Sequence, residues 1–158
     1  MKTTVAGIAF GVLVASTFSF QSYAAAETDA CSLVTPAQVS AAVGFQVGDG
    51  KHVTPTFVKT CTWTGTAGGG VQTVTLNLQT GAFFDGAKKQ AAAMVAAGAA
   101  VKSASVGDDS YFYVLGTQVD LWLKKGGNAC KISLYKQIPV EQKQALELSL
   151  AKQVIAKL

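Results

Sequence analysis

The chain has 158 residues and carries 13 basic and 9 acidic side chains, and every basic residue is a lysine. Hydrophobic residues make up 49% and charged residues 14%, which argues against a disordered chain and predicts one globular domain. Without arginine the chain cannot grip phosphate or guanine bidentately, so we expect no nucleic-acid partner. The single histidine, His52, excludes a multi-histidine metal site and is the only imidazole available for catalysis.

The amino-terminal segment predicts export. Lys2 supplies a positive charge, and the following residues 5–20 are uncharged and mostly apolar. Small residues end the segment, as in the cleavage region of a secretory signal peptide. We expect residues 1–24 to be the signal peptide, cleaved after Ala24, with cleavage after Ala26 as the alternative.

Residues 25–158 are expected to form a single exported domain, in the periplasm or outside the cell. The apolar run is shorter than the roughly 20 residues of a membrane-spanning helix, and it contains Gly, Ser and Thr. Cys31 follows Thr28-Asp29-Ala30, which does not match a lipidation signal. We therefore expect a monomer without a stable membrane anchor.

A short first helix is predicted directly after Thr35. Thr35 suits the N-cap position, Pro36 suits the first helical position, and Gln38 completes a capping box. Gly44 fits the end of this helix, because glycine readily adopts the left-handed conformation found there.

The next two segments, 56–64 and 71–79, alternate between apolar and polar residues and predict an antiparallel hairpin. The glycine-rich residues 65–70 are expected to connect them. Pairing Thr64 with Val71 places the apolar side chains of both strands on one face, so the predicted register is self-consistent.

Residues 83–100 predict an alanine-rich helix. One face carries apolar or small residues at helical spacing, namely Phe84, Ala87, Ala91, Met94, Val95 and Gly98. We expect this face to contact the core rather than a cofactor, and no motif in the chain predicts a cofactor.

Two further strands are predicted at 111–115 and 117–124, and residues 101–106 are a candidate for an additional short strand before them. Gly126-Gly127 is a two-residue hairpin signal that leads into a last strand. Pairing Lys125 with Asn128 places Trp122 opposite Lys131 on the outward face of this hairpin.

Pro139 begins a last predicted helix, whose apolar side includes Leu150 and Val154. The element order is therefore α-β-β-α-β-β-β-α. This order predicts an α+β fold, with an antiparallel sheet of about five strands and the helices packed on one face.

Three cysteines in an exported chain predict one disulfide and one spare thiol. Alternation points Cys61 and Cys130 towards the helices, and Cys31 precedes the first helix. We favour the pair Cys31–Cys61, with Cys61–Cys130 as the alternative. Cys130 is then expected to be buried and inert, because reactive thiols need exposure and an electropositive site. The cysteines and His52 lack the close pairs of a zinc site, so no metal is expected.

Four short motifs resemble those of a known group of proteins. They are Cys31-Ser32-Leu33-Val34-Thr35-Pro36, Cys61-Thr62-Trp63-Thr64, Val106-Gly107-Asp108-Asp109-Ser110-Tyr111 and Leu121-Trp122-Leu123-Lys124-Lys125-Gly126. Together they resemble a family of small exported bacterial domains of unknown function, many of which are lipoproteins in actinobacteria. Some members of that family resemble the extracellular sensor domains of membrane kinases.

The resemblance covers most of the chain after the signal peptide, and it implies an exported α+β fold with a cysteine pair. Two features depart from the family pattern. The chain has no lipidation cysteine, and Cys130 lies outside the expected pair. The family implies no catalytic residues.

The outward face of the last hairpin is the candidate binding surface. Trp122 and Tyr135 are predicted to lie there beside Lys124, Lys131 and Lys136, and Trp122 opposite Lys131 fits a cation–π pair. Aromatic and basic side chains on an open sheet suit a protein, peptide or glycan ligand. The simpler alternative is a solvated sheet face with one cross-strand pair.

Two loop segments carry the remaining polar candidates. Asp108-Asp109 is the only adjacent acidic pair. Its spacing matches no calcium-binding EF-hand loop. We expect it to cap a turn, because aspartate side chains suit such turns. Residues 49–52 are predicted to form a loop that leaves His52 without a catalytic companion.

The chain is therefore predicted to be a non-enzymatic binding domain. The first alternative is a periplasmic inhibitor or immunity protein that blocks an extracytoplasmic enzyme or toxin. The second alternative is an enzyme that uses Cys130 or the Asp108-Asp109 pair.

Overall fold

The computed structural model describes residues 28–54 and 59–158. The predicted signal peptide and its cleavage positions lie outside the described residues. So do residues 56–58, with which the first predicted strand begins.

Along the described chain, α-helices precede, separate and follow two groups of consecutive strands. The helices are α1 (Pro36–Val43), α2 (Gly81–Ala93) and α3 (Val140–Val154), with short 3-10 helices at Ala30–Ser32 and Met94–Ala97. The strands are β1 (Lys51–His52), β2 (Thr60–Ala67), β3 (Gly70–Thr80), β4 (Ala100–Ser103), β5 (Asp109–Leu115), β6 (Gln118–Lys125) and β7 (Asn128–Tyr135). They form one antiparallel sheet in the order β1-β2-β3-β7-β6-β5-β4.

The α+β class and the antiparallel sheet are confirmed, but the sheet has seven strands instead of about five. The strand that was not predicted is β1, where a loop was expected. It contains only two residues, Lys51 and His52, which pair with Thr62 and Cys61. Two residues are too few to give an alternating pattern, so this edge strand has no recognisable sequence signal.

The prediction that the helices pack on one face of the sheet is correct for α1 and α3 and wrong for α2. Helices α1 and α3 cover the face that carries Leu76, Leu121 and Ile132, and together they form the main core. Helix α2 covers the opposite face, where Phe84 and Tyr111 belong to a second, smaller cluster. Strands β5 to β7 carry apolar side chains on both faces, so burial of both requires helices on both sides.

The amino-terminal cap of α1 is confirmed. The Thr35 hydroxyl accepts a hydrogen bond from the Gln38 N–H, and the Gln38 side chain accepts one from the Thr35 N–H. Gly44 ends the helix in the left-handed conformation, with φ of 74°. These contacts involve only neighbouring residues, which explains why the sequence alone predicts this helix.

The predicted register of the first hairpin is wrong by two residues. Thr64 pairs with Thr73 instead of Val71. The strands continue to a two-residue turn at Gly68 and Gly69, whose φ values are 61° and 80°. Consecutive positive φ angles favour glycine and match the twist of the strands. A two-residue shift leaves every side chain on its predicted face, so the apolar faces still agree.

The predicted register of the last hairpin is confirmed. Lys125 pairs with Asn128, and Trp122 pairs with Lys131. Gly126, in the turn, has φ of 58°. This hairpin forms part of the surface on which α2 packs.

Candidate functional site

Trp122 and Lys131, two of the predicted binding residues, lie side by side. The Lys131 Nζ lies 5.7 Å from the centroid of the Trp122 ring, in a cation–π arrangement. The ring is half-buried because α2 covers part of the face that was predicted to be open.

Lys124 is directed towards α2. Its Nζ lies 2.9 and 3.0 Å from the two carboxylate oxygens of Asp85, and 5.8 Å from the centroid of the Phe84 ring. Lys124 therefore holds α2 on the sheet and does not extend an open basic surface.

Tyr135 lies apart from the Trp122 and Lys131 pair. It is 55% exposed, pairs with Thr73 of β3, and lies four residues beyond Lys131, which corresponds to roughly 13 Å along a strand. Lys136 projects to the opposite face, with its Nζ 5.0 Å from the centroid of the Phe45 ring. The predicted cluster is thus divided between two regions and two faces of the sheet.

A cleft opens where α2 and the residues after it approach β5 and β6. It has a volume of about 260 Å³ and is lined by Ala87, Gln90, Ala91, Met94, Tyr111, Tyr113, Asp120 and Trp122. We call this space the aromatic cleft. Of the predicted binding residues, only Trp122 lines it.

Local contacts at the start of α2 hold the helix above the cleft. The Thr80 hydroxyl accepts a hydrogen bond from the Phe83 N–H, and the Gly81 N–H donates to the Gly127 carbonyl at 2.8 Å. The first turn of α2 is therefore attached to the turn between β6 and β7.

Neighbouring rings support Trp122 and Tyr111, which belong to one wall of the aromatic cleft. The Trp122 ring lies between Phe83, at a centroid distance of 6.0 Å, and Tyr111, at 6.2 Å. The Phe84 ring meets Tyr111 edge-on at 5.4 Å. These distances are typical of favourable aromatic pairs and give the wall a defined shape.

Two buried residues that border the cleft, Tyr111 and Asp120, carry polar groups. The Tyr111 hydroxyl has no hydrogen-bond partner in the described part of the chain. Burial, reinforced by the nearby Asp109 and Asp120, raises the pKa of this hydroxyl, so it remains a donor at neutral pH. Asp120 is 5% exposed, and its carboxylate accepts hydrogen bonds from Ser133 Oγ and, at 2.9 Å, from Gln118 Nε2.

Tyr111, Tyr113 and Asp120 were not predicted to be site residues. The two tyrosines alternate along β5, and β5 pairs with β6 so that Tyr111 lies opposite Trp122 and Tyr113 opposite Asp120. That register was not predicted, because only the hairpin between β6 and β7 carries a diagnostic turn. An acidic residue between apolar residues on a central strand was the available signal for Asp120.

The predicted disulfide between Cys31 and Cys61 is confirmed, with a Cα–Cα distance of 5.0 Å. His52 has a partner that was not predicted, because its Nε2 lies 2.8 Å from Asp29 Oδ1. This hydrogen bond lowers the pKa of Asp29. Asp29, Cys31 and His52 have ligand-type atoms within 4.8 Å of one another, but the disulfide occupies the Cys31 sulfur. These residues therefore tie the start of the described chain to β1 and β2.

The two neighbouring aspartates have separate structural roles. Asp108 Oδ2 accepts a hydrogen bond from the Gly126 N–H at 2.7 Å, in agreement with the predicted turn-capping role. Both Asp109 oxygens lie 2.7 Å from the Lys88 Nζ on α2. Each carboxylate is thus engaged in holding a turn or a helix.

Cys130 is a buried thiol that has no disulfide partner. Its complete burial raises the pKa of the thiol, which disfavours the nucleophilic thiolate. We expect no reaction of the native protein with Ellman's reagent, and one thiol equivalent after unfolding in denaturant. Rapid labelling of the native protein would instead make Cys130 a candidate nucleophile.

Helix α3 contributes a buried carboxyl group. Glu147 is 1% exposed, its Oε1 accepts a hydrogen bond from the Leu134 N–H at 2.9 Å, and its Oε2 has no partner in the described residues. Burial raises the pKa of Glu147 to about 9. The nearby Asp120 raises it further, whereas the Leu134 N–H and Lys143 oppose the shift. The Glu147 side chain is therefore neutral in the folded protein at pH 7.

Across residues 28–54 and 59–158, no helix combines the length and apolar character needed to cross a bilayer. A scan against protein-family models found no match, and searches of curated proteins and of solved structures found none either. The resemblance to small exported bacterial domains therefore stays a prediction.

Proposed function

We propose that this protein is an exported, non-enzymatic binding domain that holds a small ligand in the aromatic cleft. The observation that carries the proposal is the buried Tyr111 hydroxyl, which lacks a hydrogen-bond partner within the described residues and belongs to a side chain that borders the same cavity as Trp122. An unmet donor in a buried position is costly. A ligand that accepts its hydrogen bond and covers the ring would remove that cost.

The residues with catalytic potential support a binding role rather than a reaction. Cys130 is buried in the main core, away from the smaller cluster that borders the cleft. Asp108 and Asp109 are committed to a turn and to Lys88. His52 pairs with Asp29 beside the disulfide and does not line the cleft.

The cleft can be filled without removing any of its contacts. Ala87 is half-buried and lines the cleft, so Ala87→Phe places a ring in the space that a ligand would occupy. Ala92→Phe is the matched control, because Ala92 lies on the same helix, is exposed and does not line the cleft. We expect a small-molecule fragment library, screened by amide and indole NMR, to shift the Trp122 indole N–H signal. The Ala87→Phe variant should weaken those hits at least tenfold, whereas Ala92→Phe should not.

Two results would contradict the proposal. Fragment-induced shifts that leave Trp122 unchanged and fall elsewhere would remove the cleft as the site. Equal affinities of the fragments for Ala87→Phe and Ala92→Phe would also remove the cleft as the site, provided that thermal unfolding shows both variants to be folded. Tight one-to-one binding of an extracytoplasmic enzyme with the cleft still open would favour the inhibitor alternative.

A further inference from the structure

The charge of the aromatic cleft is unbalanced. Asp120 is buried and lines the cleft, and none of the ion pairs in the described residues includes it. Ser133 and Gln118 satisfy its oxygens by hydrogen bonding, but both partners are neutral. A buried carboxylate that is hydrogen-bonded only to neutral groups is stabilised further when a cation approaches it.

The rings beside Asp120 suit the same kind of ligand. Trp122, Tyr111 and Tyr113 present aromatic surfaces at the cleft, and the faces of such rings attract cations. Lys131 already uses this property, since its ammonium group lies 5.7 Å from the centroid of the Trp122 ring. The wall therefore accepts an ammonium ion at one position within the protein itself.

The available space limits the size of the ligand. A volume of about 260 Å³ lies just below the usual range for small-molecule pockets, which begins near 300 Å³. The Tyr111 hydroxyl adds one donor without a partner in the described chain, which would satisfy one ligand oxygen. An anionic ligand is disfavoured, because it would lie beside the buried Asp120 carboxylate, which forms no ion pair in the described residues.

We infer that the aromatic cleft binds a small alkylammonium ion that carries one hydroxyl or carbonyl oxygen, and this inference rests on the proposed function. The ammonium group lies against the Asp120 carboxylate and the Tyr113 ring, since Tyr113 lies opposite Asp120 in the pairing of β5 with β6. The alkyl groups contact Ala87 and Met94, and the oxygen accepts the hydrogen bond from Tyr111.

The test compares cations with neutral molecules of the same shape. The probes are choline with its carbon isostere 3,3-dimethylbutan-1-ol, and butylammonium with 1-butanol. Binding is followed through the Trp122 indole N–H signal. We expect at least one cation to bind at least ten times more tightly than its neutral counterpart.

The Asp120→Asn variant tests the origin of that preference. Asparagine retains an acceptor for Ser133, and the Gln118 amide can rotate to accept from the new amide, so the fold should persist. We expect the ratio of the cation affinity to the affinity for its neutral counterpart to fall to about one. Asp49→Asn is the control, because Asp49 is exposed and does not line the cleft.

The outcomes separate this inference from the proposed function. Equal binding of the cations and the alcohols would overturn the choice of ligand and leave the cleft as a binding site. A preference for the cations that persists in Asp120→Asn would also overturn the inference. If neither cation binds although neutral fragments shift the Trp122 indole N–H signal, the inference fails and the proposed function stands. If no fragment shifts that signal, both the inference and the proposed function fail.

Discussion

Replacing Glu147 by glutamine is expected to raise the free energy of unfolding at pH 8 and to leave it nearly unchanged at pH 5. The folded protein keeps this carboxyl group protonated up to a pKa of about 9, whereas the same carboxyl in the unfolded chain has its ordinary pKa of 4.5. Glutamine is a neutral side chain of similar shape, and it retains the oxygen that accepts the Leu134 N–H.

The sign of the effect follows from proton binding. Between pH 4.5 and 9 the folded state holds a proton on Glu147 that the unfolded state has lost, so unfolding releases it. The stability contributed by the neutral group is fully present below pH 4.5 and is lost as the pH rises towards 9. One proton corresponds to a little over 1 kcal/mol for each pH unit, or roughly 4 kcal/mol between pH 5 and pH 8.

Urea unfolding at several pH values measures this difference. The free energy of unfolding of the wild-type protein should fall between pH 5 and pH 8, and that of Glu147→Gln should fall much less. Glu141→Gln is the control, because Glu141 lies on the same helix and is exposed. A variant whose stability followed the wild-type pH dependence would show that Glu147 ionises normally in the folded protein.

Removing the disulfide is expected to cost about 3.5 kcal/mol of unfolding free energy, because the crosslink restricts a loop of about 30 residues in the unfolded chain. The double variant Cys31→Ala and Cys61→Ala tests this without leaving an unpaired thiol. Packing adds to the cost, since the backbone of Gly50 lies close against the bridge. A Cβ at position 50 would lie only 2.6 Å from the Cys61 sulfur.

Cys130→Ala provides the control for the disulfide. It should lower the stability by less than the double variant, and it should remain sensitive to a reducing agent as the wild-type protein does. The double variant should have the same stability with and without the reducing agent. If Cys130→Ala removed the sensitivity to reduction, the bridge would involve Cys130 and the assigned pair would be wrong.

Several features of the fold could be predicted because they depend on neighbouring residues. The capping box of α1 involves Thr35 and Gln38, which are three positions apart. The last hairpin has a two-residue glycine turn, and such a turn sets the register of both strands. In the first hairpin several consecutive glycines allowed more than one turn, so the register was wrong by two residues while the faces were right.

The candidate site was harder to predict because it joins distant segments. Trp122 was recognised as an outward aromatic residue, but Tyr113 lies on β5 and Met94 follows α2. Met94 was assigned to the core on its helical spacing, whereas it is 38% exposed at the cleft. Spacing along one element does not reveal which other element approaches it.

By itself the sequence determined the class of the fold, the start of α1, the last hairpin and the favoured cysteine pair. These features follow from caps, turns and alternation, which act over a few residues. Only the tertiary structure decided the side of the sheet on which α2 packs. The side on which α2 packs depends on the total apolar area of both faces of β5 to β7. Because α2 packs on the face that was predicted to be open and lysine-rich, that face contains a cleft with a buried carboxylate.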